Sequence, residues 1–328
     1  MKRFLPIVIL LIAGCAALPG IDRMGGDRGQ NSSINSDENL KIVFFDVGQG
    51  DATLIQSNES MLIDAGPPNA GREFILPYLR SNNISELKYV VATHYHDDHI
   101  GGIPEVIKGE DQILGTSDDF IPKEGILDRG GEYEGSSPAY EEYAKAATGS
   151  RNAVHPGDIY DLGGASVEVV AANGAFANGE QIPLEPFDEN SASIVLLLNY
   201  GDFDYLHASD ITGGGGDPPY ETVDIETELA SIVGDVDVLK VAHHGSETST
   251  NQAFLDAASP ELAVISLGDG NDFGHPHNEV IRRLEDSGAD IYLTERGWLG
   301  DEFIDDESIQ IQDGPITISV NEDDWAIE

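Results

Sequence analysis

A strand that runs directly into a cluster of ionisable side chains constrains this chain more than any other feature. Residues 88–93 form an apolar stretch (KYVVAT) that predicts a buried strand, and HYHDDH follows at once at residues 94–99. Four side chains of that hexapeptide are of metal-ligand type: His94, His96, Asp98 and His99. A solvated histidine-rich turn is the plain alternative, but a buried strand does not normally end in so many polar groups without a use for them.

The density of this cluster predicts a loop that holds two divalent ions. Imidazole and carboxylate together suit Zn²⁺, Mn²⁺ or Fe²⁺. We expect His94 and His96 to face one ion, and Asp98 and His99 to face the other.

Strand and helix patterns alternate along the chain and predict an α/β (α+β) fold. In the first half, strands are expected at 41–47, 53–56, 60–63 and 88–93, with a helix near 74–79. In the second half, strands are expected at 166–171, 193–199, 203–208, 236–242, 262–267 and 290–294, with helices near 221–233, 251–258 and 278–286. Two strand-rich halves, each followed by helices, predict two mixed sheets packed together with helices outside. Residues 109–153 are rich in Gly, Asp and Ser, which is typical of an insertion.

The N-terminus has the pattern of an export signal. Lys2 and Arg3 precede an apolar run at residues 4–13, which is shorter than the roughly 20 apolar residues of a membrane-spanning helix. Residues 12–15 (IAGC) resemble a lipobox, so residues 1–15 are predicted to be a lipoprotein signal peptide with Cys15 as the lipidated residue. A plain secretory signal is the alternative. Residues 16–39 predict a flexible acidic and polar tether, and we expect the protein outside the cytoplasm, lipid-anchored to the outer face of the cell membrane.

The charge excludes an ordinary nucleic-acid groove. The chain has 60 Asp and Glu residues against 17 Lys and Arg, a formal net charge of −43. So few cations cannot form the broad basic face on which binding to a phosphate backbone relies. The acidic residues are spread along the chain, which favours adaptation of the whole surface to concentrated salt over an acidic tail. An unusually acidic protein from an ordinary habitat is the alternative. The single cysteine excludes a disulfide framework and a cysteine-based zinc cluster.

Several motifs occur in the order of a known family. They are FDVGQGDA at 45–52, LIDAG at 62–66, HYHDDH at 94–99, SD at 209–210, LKVAHHGS at 239–246 and GHPH at 274–277. Together they resemble the metallo-β-lactamase superfamily, and within it the extracellular hydrolase domain of ComEC-type competence proteins. The resemblance implies a four-layer αββα sandwich as a single catalytic domain at residues 40–328. It does not include the membrane channel of ComEC, which implies the hydrolase alone, tethered by lipid.

The resemblance also assigns roles to residues beyond the hexapeptide. Asp210 would bridge the two ions, whereas the local pattern also allows a helix N-cap. His243 would complete the second metal site, although His244 can take its place because the sequence does not fix which ring points inward. Asp64 resembles an aspartate that orients a ligand histidine from behind, with a turn residue as the alternative.

The chain departs from many superfamily members at one ligand position. These members supply a third histidine to the first metal from the region before the bridging aspartate, and residues 189–193 contain none. Asn190 or water would fill the position. An oxygen-rich site of this kind suits Mn²⁺ better than a closed histidine site does, with Zn²⁺ still open.

The catalytic set expected from the resemblance consists of Asp98, Asp210, His244 and His277. Proton delivery to the leaving group falls to His277 or His244. A structural role at a helix N-terminus is the alternative for His277.

Two further histidines have weaker interpretations. His207 is as well explained by a core position as by a functional one. His155, beside Pro156 and Gly157, is expected to be structural or exposed.

Three aspartates in the expected insertion are a candidate calcium site. Asp111, Asp118 and Asp119 surround a glycine turn, and carboxylate and backbone oxygens are the ligands that Ca²⁺ prefers. The spacing lacks the bidentate glutamate of an EF-hand, so a plain acidic loop is the alternative.

The expected function is metal-dependent hydrolysis of phosphodiester bonds, with extracellular DNA as the substrate. The acidity weighs against extended DNA binding, so much of the phosphate affinity would come from the metal ions. The alternatives are another hydrolase of the same fold (a phosphorylcholine-type esterase, a lactonase or a β-lactamase) and a non-enzymatic metal-binding lipoprotein. A DNA-uptake channel is a candidate partner, and no residue pattern indicates an obligate protein partner.

We expect Cys15 to carry lipid after removal of residues 1–14, because a lipobox follows a short basic and apolar leader. Mass spectrometry of membrane-fraction protein should find a modified Cys15 at the N-terminus. An unmodified chain that starts elsewhere would contradict the anchor.

Overall fold

The computed structural model describes residues 40–216, 221–321 and 324–328. The predicted leader, Cys15 and the predicted tether lie outside the described residues. The strands, in chain order, are β1 Leu40–Phe44, β2 Thr53–Gln56, β3 Ser60–Ile63, β4 Tyr89–Ala92, β5 Gly125–Asp128, β6 Arg151–Ala153, β7 Ile159–Asp161, β8 Ser166–Ala172, β9 Ala175–Phe176, β10 Val195–Tyr200, β11 Phe203–His207, β12 Gly213–Gly215, β13 Thr222–Asp224, β14 Val238–Lys240, β15 Leu262–Ile265, β16 Asp290–Leu293, β17 Ile309–Ile311, β18 Ile316–Asn321 and β19 Asp324–Ile327.

The helices are short and connect these strands. The α-helices are α1 Leu76–Ser81, α2 Asp97–Ile100, α3 Ile103–Ile107, α4 Pro138–Ala146, α5 Glu226–Leu229, α6 Gln252–Ala258 and α7 Asn278–Ser287. One π-helical turn, Gly71–Ile75, leads into α1, and three 3₁₀ turns lie at Asn190–Ala192, Ala242–Gly245 and Asp301–Phe303. No helix among the described residues combines the length and the apolar character needed to cross a bilayer.

Two large mixed sheets form the centre of the fold. The first has the order β19-β18-β1-β2-β3-β4-β5-β6, and the second has the order β17-β16-β15-β14-β11-β10-β8-β7, with β9 paired to β8. Strands β3 to β6 run parallel to one another, as do β11 and β14 to β17. The parallel strands matter for function, because ligands of mixed α/β sheets bind beyond the carboxyl ends of such strands.

Side-chain alternation along the strands divides the core into three apolar layers. In β1, Ile42 and Phe44 pack between the two sheets, whereas Val43 packs with the helices outside the first sheet. In β15, Val264 belongs to the layer between the sheets, and Ile265 packs with the helices outside the second sheet. Helices α1 to α4 cover the first sheet and α5 to α7 cover the second. The four-layer αββα sandwich is thereby confirmed.

The stretch expected to be an insertion supplies two strands of the first sheet and one of the helices that cover it. Residues 109–153 supply β5 and β6, which continue the sheet beyond β4, and α4, whose Tyr140 and Tyr143 pack in the outer layer. The loop residues of this stretch dominate its composition and hide the four buried residues of β5. Most glycines of this stretch lie in the loops between these elements, and Gly125 begins β5.

Buried Glu226 joins two helices of the second sheet's outer layer. It begins α5, and its carboxylate oxygens accept the backbone N–H groups of Thr250 and Asn251 at 2.5 and 2.6 Å, next to the start of α6. Burial raises the pKa of Glu226 to about 8, although these two N–H groups oppose the shift.

Glu226 should make the protein less stable as the pH rises from about 5 to 8. The folded protein keeps the proton in this range and the unfolded chain, with its ordinary pKa of 4.5, releases it. The unfolding free energy therefore falls by at most about 1.4 kcal/mol per pH unit. Urea titrations of metal-free protein should show this fall, and Glu226→Gln should flatten it. The exposed Glu279→Gln is the control, and equal slopes in all three proteins would contradict the assignment.

Candidate metal centre

The candidate site lies where parallel strands of both sheets end. In the first sheet, β3 and β4 run into Asp64 and residues 93–99. In the second sheet, β11 and β14 run into Asp210 and the turn Ala242–Gly245. The carboxyl ends of these four strands thus bring together ligand-type side chains that are far apart in the sequence.

Asp64 ties together the two segments from the first sheet. Its Oδ1 accepts the Thr93 backbone N–H at 2.9 Å, and its Oδ2 accepts the Thr93 hydroxyl at 2.7 Å. The same Oδ2 lies 2.8 Å from Nδ1 of His99. A hydrogen bond from Nδ1–H fixes the ring and makes Nε2 of His99 the nitrogen available to a metal ion. This geometry suits the orienting role that the resemblance implies for Asp64.

His94 and His96 place two ring nitrogens side by side. Nε2 of His94 lies 3.1 Å from Nδ1 of His96, and Nδ1 of His94 lies 3.2 Å from the Thr93 hydroxyl. Because that hydroxyl already donates to Asp64, it accepts from Nδ1–H of His94 and leaves Nε2 unprotonated. Two nitrogens that bind one ion at about 2.0–2.1 Å are themselves roughly 3 Å apart. The pair therefore has the spacing of two ligands of a single ion.

A second donor group surrounds the buried carboxylate of Asp210. Its Oδ2 lies 3.2 Å from Nε2 of His99 and 3.5 Å from Nε2 of His244. Oδ2 of Asp98 lies 3.4 Å from the same nitrogen of His244 and 3.9 Å from that of His99. Two imidazoles and two carboxylates thus converge from three separate segments.

The unpartnered atoms of this group are those that a divalent ion would bind. Nε2 of His99, Nε2 of His244 and Oδ1 of Asp210 are buried and make no hydrogen bond to the described residues. Nδ1–H of His244 donates to the Ser266 carbonyl at 2.8 Å, so this ring also turns its Nε2 toward the carboxylates. Buried polar atoms are normally hydrogen-bonded, and these are nitrogen and oxygen donors suited to Zn²⁺ or Mn²⁺. The residues present fit a divalent metal site.

The sequence leaves open whether His243 or His244 is the metal ligand, and the structure distinguishes the two. His243 and His244 both have a left-handed backbone, with φ of 49° and 52°. His244 reaches Asp98 and Asp210, as described above. Nε2 of His243 instead lies 4.0 Å from Asp210 and 3.1 Å from the Asn190 side-chain amide. His244 therefore takes the position in the second group that the resemblance gives to His243, and His243 lies beside Asn190 next to the first group.

A buried ion pair behind the donors was not predicted from the sequence. Nζ of Lys240 pairs with Oδ2 of Asp51, donates to the Ser209 carbonyl at 3.2 Å and lies 3.8 Å from Oδ1 of Asp210. Burial raises the pKa of Asp51, but the charges of Lys240, His244 and His99 together outweigh this effect and hold that pKa below its usual value. The signal was available, since a lysine within the apolar run 236–242 needs a buried partner.

A second buried ion pair braces the loop of the hexapeptide. Glu189 accepts the backbone N–H of Tyr95 at 2.9 Å, and Arg129 donates twice to the same carboxylate, at 2.7 Å each. The Arg129 guanidinium lies 4.3 Å from the centre of the Tyr95 ring. Because Tyr95 stands between His94 and His96, this pair holds the backbone that carries both ligands. Arg129 lies within residues 109–153, where the loop-like composition gives no sign of a buried ion pair.

A cleft of about 340 Å³ opens onto both donor groups. Its lining includes Gln49, His96, Asp98, Tyr133, Asn190, Asp210, His243, His244, Phe273 and His275. It is therefore of the size of a small-ligand site, near the lower end of the usual range.

Of the two histidines in the GHPH motif, His275 lines the cleft and His277 does not. Nδ1 of His277 accepts a hydrogen bond from the backbone N–H of Glu247 at 3.2 Å. The backbone N–H of His277 donates to the Gly245 carbonyl. His277 stands at the N-cap position of α7, the structural alternative that the sequence allows.

The three aspartates of the candidate calcium loop accept hydrogen bonds from backbone N–H groups of other residues in the same loop. Asp118 accepts the N–H of Asp111 at 3.0 Å, Asp119 accepts that of Gly115 at 2.6 Å, and Asp111 accepts that of Ile113 at 2.8 Å. Within the described residues, these carboxylates do not form a cluster of ligand atoms like that of Asp210. The plain acidic loop accounts for them.

His207 and His155 both lie outside the donor groups. His207 is fully buried in β11, and burial, aided by the charge of Lys240, lowers its pKa to about 3. The ring of His155 is exposed and lies 3.8 Å from Asp158.

The charges of the centre depend on one another. Burial lowers the pKa of His244, but Asp210 and Asp51 outweigh it and raise that pKa to about 10. Burial likewise raises the pKa of Asp210, but His244 and His99 outweigh it and lower that pKa well below its usual value. The carboxylates that hold protons on these imidazoles would equally hold a divalent cation, so protons and metal compete for the same atoms.

A family model described as the metallo-beta-lactamase superfamily matches residues 45–269, which carry Asp64, the hexapeptide, Asp210 and His244. The chain belongs to this superfamily. Membership and the cluster of Asp and His donors identify it as a metal-dependent hydrolase with a divalent metal site.

This hydrolase is similar to part of three larger proteins. It is 25% identical over 294 residues to ComE operon protein 3 of Bacillus subtilis, covering 88% of this chain and 33% of that protein. It is 25% identical over 311 residues to competence protein ComA of Neisseria gonorrhoeae, covering 88% and 38%. It is 28% identical over 244 residues to recombination protein 2 of Haemophilus influenzae, covering 73% and 26%. The chain thus resembles ComEC-like proteins and spans about a third of the length of these relatives.

Solved structures of the superfamily resemble it more loosely. The metallo-beta-lactamase fold protein YhfI of Bacillus subtilis is 14% identical with a TM-score of 0.45, covering 78% of this chain and 98% of that one.

Asp64→Asn should weaken metal binding by about 10- to 100-fold, the usual effect of losing a carboxylate behind a ligand histidine. Asparagine keeps an oxygen for Thr93 but removes the charge that fixes Nδ1–H of His99. Calorimetric titration of the metal-free protein with Zn²⁺ and Mn²⁺ measures the change. Asp118→Asn is the matched control, because that aspartate binds only its own loop. Equal affinity in Asp64→Asn and the parent protein would show that Asp64 does not support the site.

Proposed function

We propose that this hydrolase is a binuclear metal-dependent phosphodiesterase that acts on nucleic acid outside the cytoplasm. The observation that carries the proposal is the position of Asp210, a buried carboxylate whose Oδ2 lies 3.2 Å from Nε2 of His99, 3.5 Å from that of His244 and 4.0 Å from that of His243. A carboxylate shared in this way fits two neighbouring ions, the arrangement used in phosphoester hydrolysis.

Under this proposal, the donor residues divide into two sets, one for each metal ion. His94 and His96 would hold the first ion, with Asn190 or water completing it, and Asp98, His99 and His244 would hold the second, with Asp210 shared between them. Two such ions supply Lewis acidity and lower the pKa of water in a hydrolytic site. Lys240 neutralises Asp51 behind the site, and the carboxylates that line the cleft are those of Asp97, Asp98 and Asp210.

The chain's own residues would orient the substrate. His275 and Gln49 line the cleft beside the donor groups and are in a position to hydrogen-bond a phosphoryl or leaving-group oxygen. His275 lies 5.4 Å from His243 between ring centres, so a group held by His275 stays next to the ligands. We assign contact with the leaving group to His275, since His277 is turned to the backbone of Glu247.

Nucleic acid is the substrate class that the relatives support. The names of these relatives refer to competence and to recombination, and recombination is a process of DNA. An extracytoplasmic location and a lipid anchor rest on the leader and Cys15. A channel for DNA uptake is a candidate partner of the hydrolase.

The proposal predicts that metal-loaded protein hydrolyses phosphodiesters and that this depends on His244 and Asp210. The loaded protein should cleave bis-p-nitrophenyl phosphate and DNA, and His244→Ala and Asp210→Asn should each lose nearly all turnover and at least one bound ion. Metal content by plasma emission and rates on both substrates are the measurements. His155→Ala, a change of the same residue type outside the site, should keep both ions and full activity.

Assays with three further substrates distinguish a phosphodiesterase from the other hydrolases of this fold. A phosphocholine ester, a lactone and a β-lactam should react far more slowly than the phosphodiesters. Preferred hydrolysis of any of the three would replace the phosphodiesterase assignment. Retention of two ions and full activity in His244→Ala would overturn the ligand assignment itself.

A further inference from the structure

An exposed aromatic ring stands at the mouth of the metal cleft. Phe273 lines the cleft, yet 62% of its surface is exposed. One side of its ring stacks on His275, with a distance of 5.6 Å between ring centres and an angle of 25° between the planes. His275 is in turn stacked near His244, at 6.1 Å and 27°. A series of roughly parallel rings therefore leads from a metal ligand to the surface.

The loop that carries Phe273 is held rigidly. The Asn271 side chain donates to the carbonyls of Gly268 and His275 at 2.9 and 2.7 Å, and accepts the N–H groups of Phe273 and His275 at 3.2 and 3.0 Å. Nε1 of Trp298 donates to the Asn271 carbonyl at 2.7 Å. These hydrogen bonds fix the loop that exposes the apolar Phe273 ring to water. The ring is thus pre-organised to contact a ligand, since the loop has little conformational freedom left to lose on binding.

The charges near the cleft favour a neutral partner for this ring. Within the described chain, the residues that line the cleft include no Lys or Arg. Arg129, behind the loop, is committed to Glu189, and the exposed side chains of Asp97 and Asp272 add negative charge. Contacts to many phosphates along a duplex are therefore unfavourable, because they require Lys and Arg. An aromatic ring recognises the flat face of a base without any charge.

The depth of the site points to an unpaired strand. His94, His99 and Asp210 are at most 2% exposed, so a phosphate must enter the cleft to reach them. The cleft of about 340 Å³ has room for a small ligand, not for a paired helix. Tyr133 lines the cleft on the side of His96, with 6.3 Å between ring centres, and provides a second aromatic surface.

Resting on the proposed phosphodiesterase function, we infer that Phe273 is a stacking surface for a nucleobase next to the scissile phosphate. The substrate is then single-stranded nucleic acid, held by the metals at one phosphate and by base stacking beside it. Selectivity for nucleic acid over simple phosphodiesters comes from this ring.

Two small substrates with the same leaving group test the inference: thymidine 5′-(p-nitrophenyl phosphate) and methyl p-nitrophenyl phosphate. They differ in the nucleoside, so the ratio of their kcat/KM values measures recognition of the base. Phe273→Ala should lower this ratio about 5- to 150-fold, the range for loss of one base–aromatic contact, with most of the change in KM. Phe273→Trp should restore the ratio. Phe74→Ala, which removes an exposed phenylalanine from the turn Gly71–Ile75, should leave it unchanged.

The outcomes separate the two proposals. If the parent protein hydrolyses neither ester, the proposed function fails. If it hydrolyses both and Phe273→Ala leaves the ratio as in the parent, the stacking role is wrong. A comparison of a linear single strand with a linear blunt-ended duplex of the same sequence adds a second readout. Faster cleavage of the single strand supports the inference, and equal or faster cleavage of the duplex overturns it.

Discussion

The buried ion pair between Lys240 and Asp51 connects the two sheets at the point where the ligands meet. Lys240 ends β14 of the second sheet, and Asp51 precedes β2 of the first. Removing one partner of a fully buried pair typically costs about 3–5 kcal/mol, because the other charge is left without compensation. The N–H of Asp51 also donates to the Asp98 carbonyl at 3.1 Å. The pair thus fixes the distance between the hexapeptide loop and the strand that leads to His244.

Close backbone packing reinforces this connection. A side chain on Gly50, whose φ is 148°, would collide with the carbonyl oxygen of Asp98. A side chain on Gly268 would likewise collide with the backbone nitrogen of Gln49. The glycines of these two loops are therefore required by the approach of backbone to backbone at the rim of the cleft, and they place Gln49 beside the metal ligands.

Much of the site could be predicted from sequence because ligand-type residues follow apolar strands. Asp64, the hexapeptide and Asp210 all stand directly after such strands, and the structure brings them together. The sequence could not choose between His243 and His244, because that choice depends on two left-handed residues in succession. It could not find Arg129 and Glu189, whose pairing joins residues 60 positions apart. It did not predict strand β5 within residues 109–153, because loop residues dominate the composition of that stretch.

The loops around the cleft come from separate elements, and this separation bears on how such a protein can change over generations. Tyr133 lies between β5 and α4, Asn190 before β10, and Phe273 between β15 and α7, whereas most of the metal donors lie on the short segments right after β4, β11 and β14. Each rim loop can accept substitutions or insertions while the sandwich and the donors keep their positions. Evolution can therefore exchange one substrate for another without having to reinvent the hydrolytic apparatus.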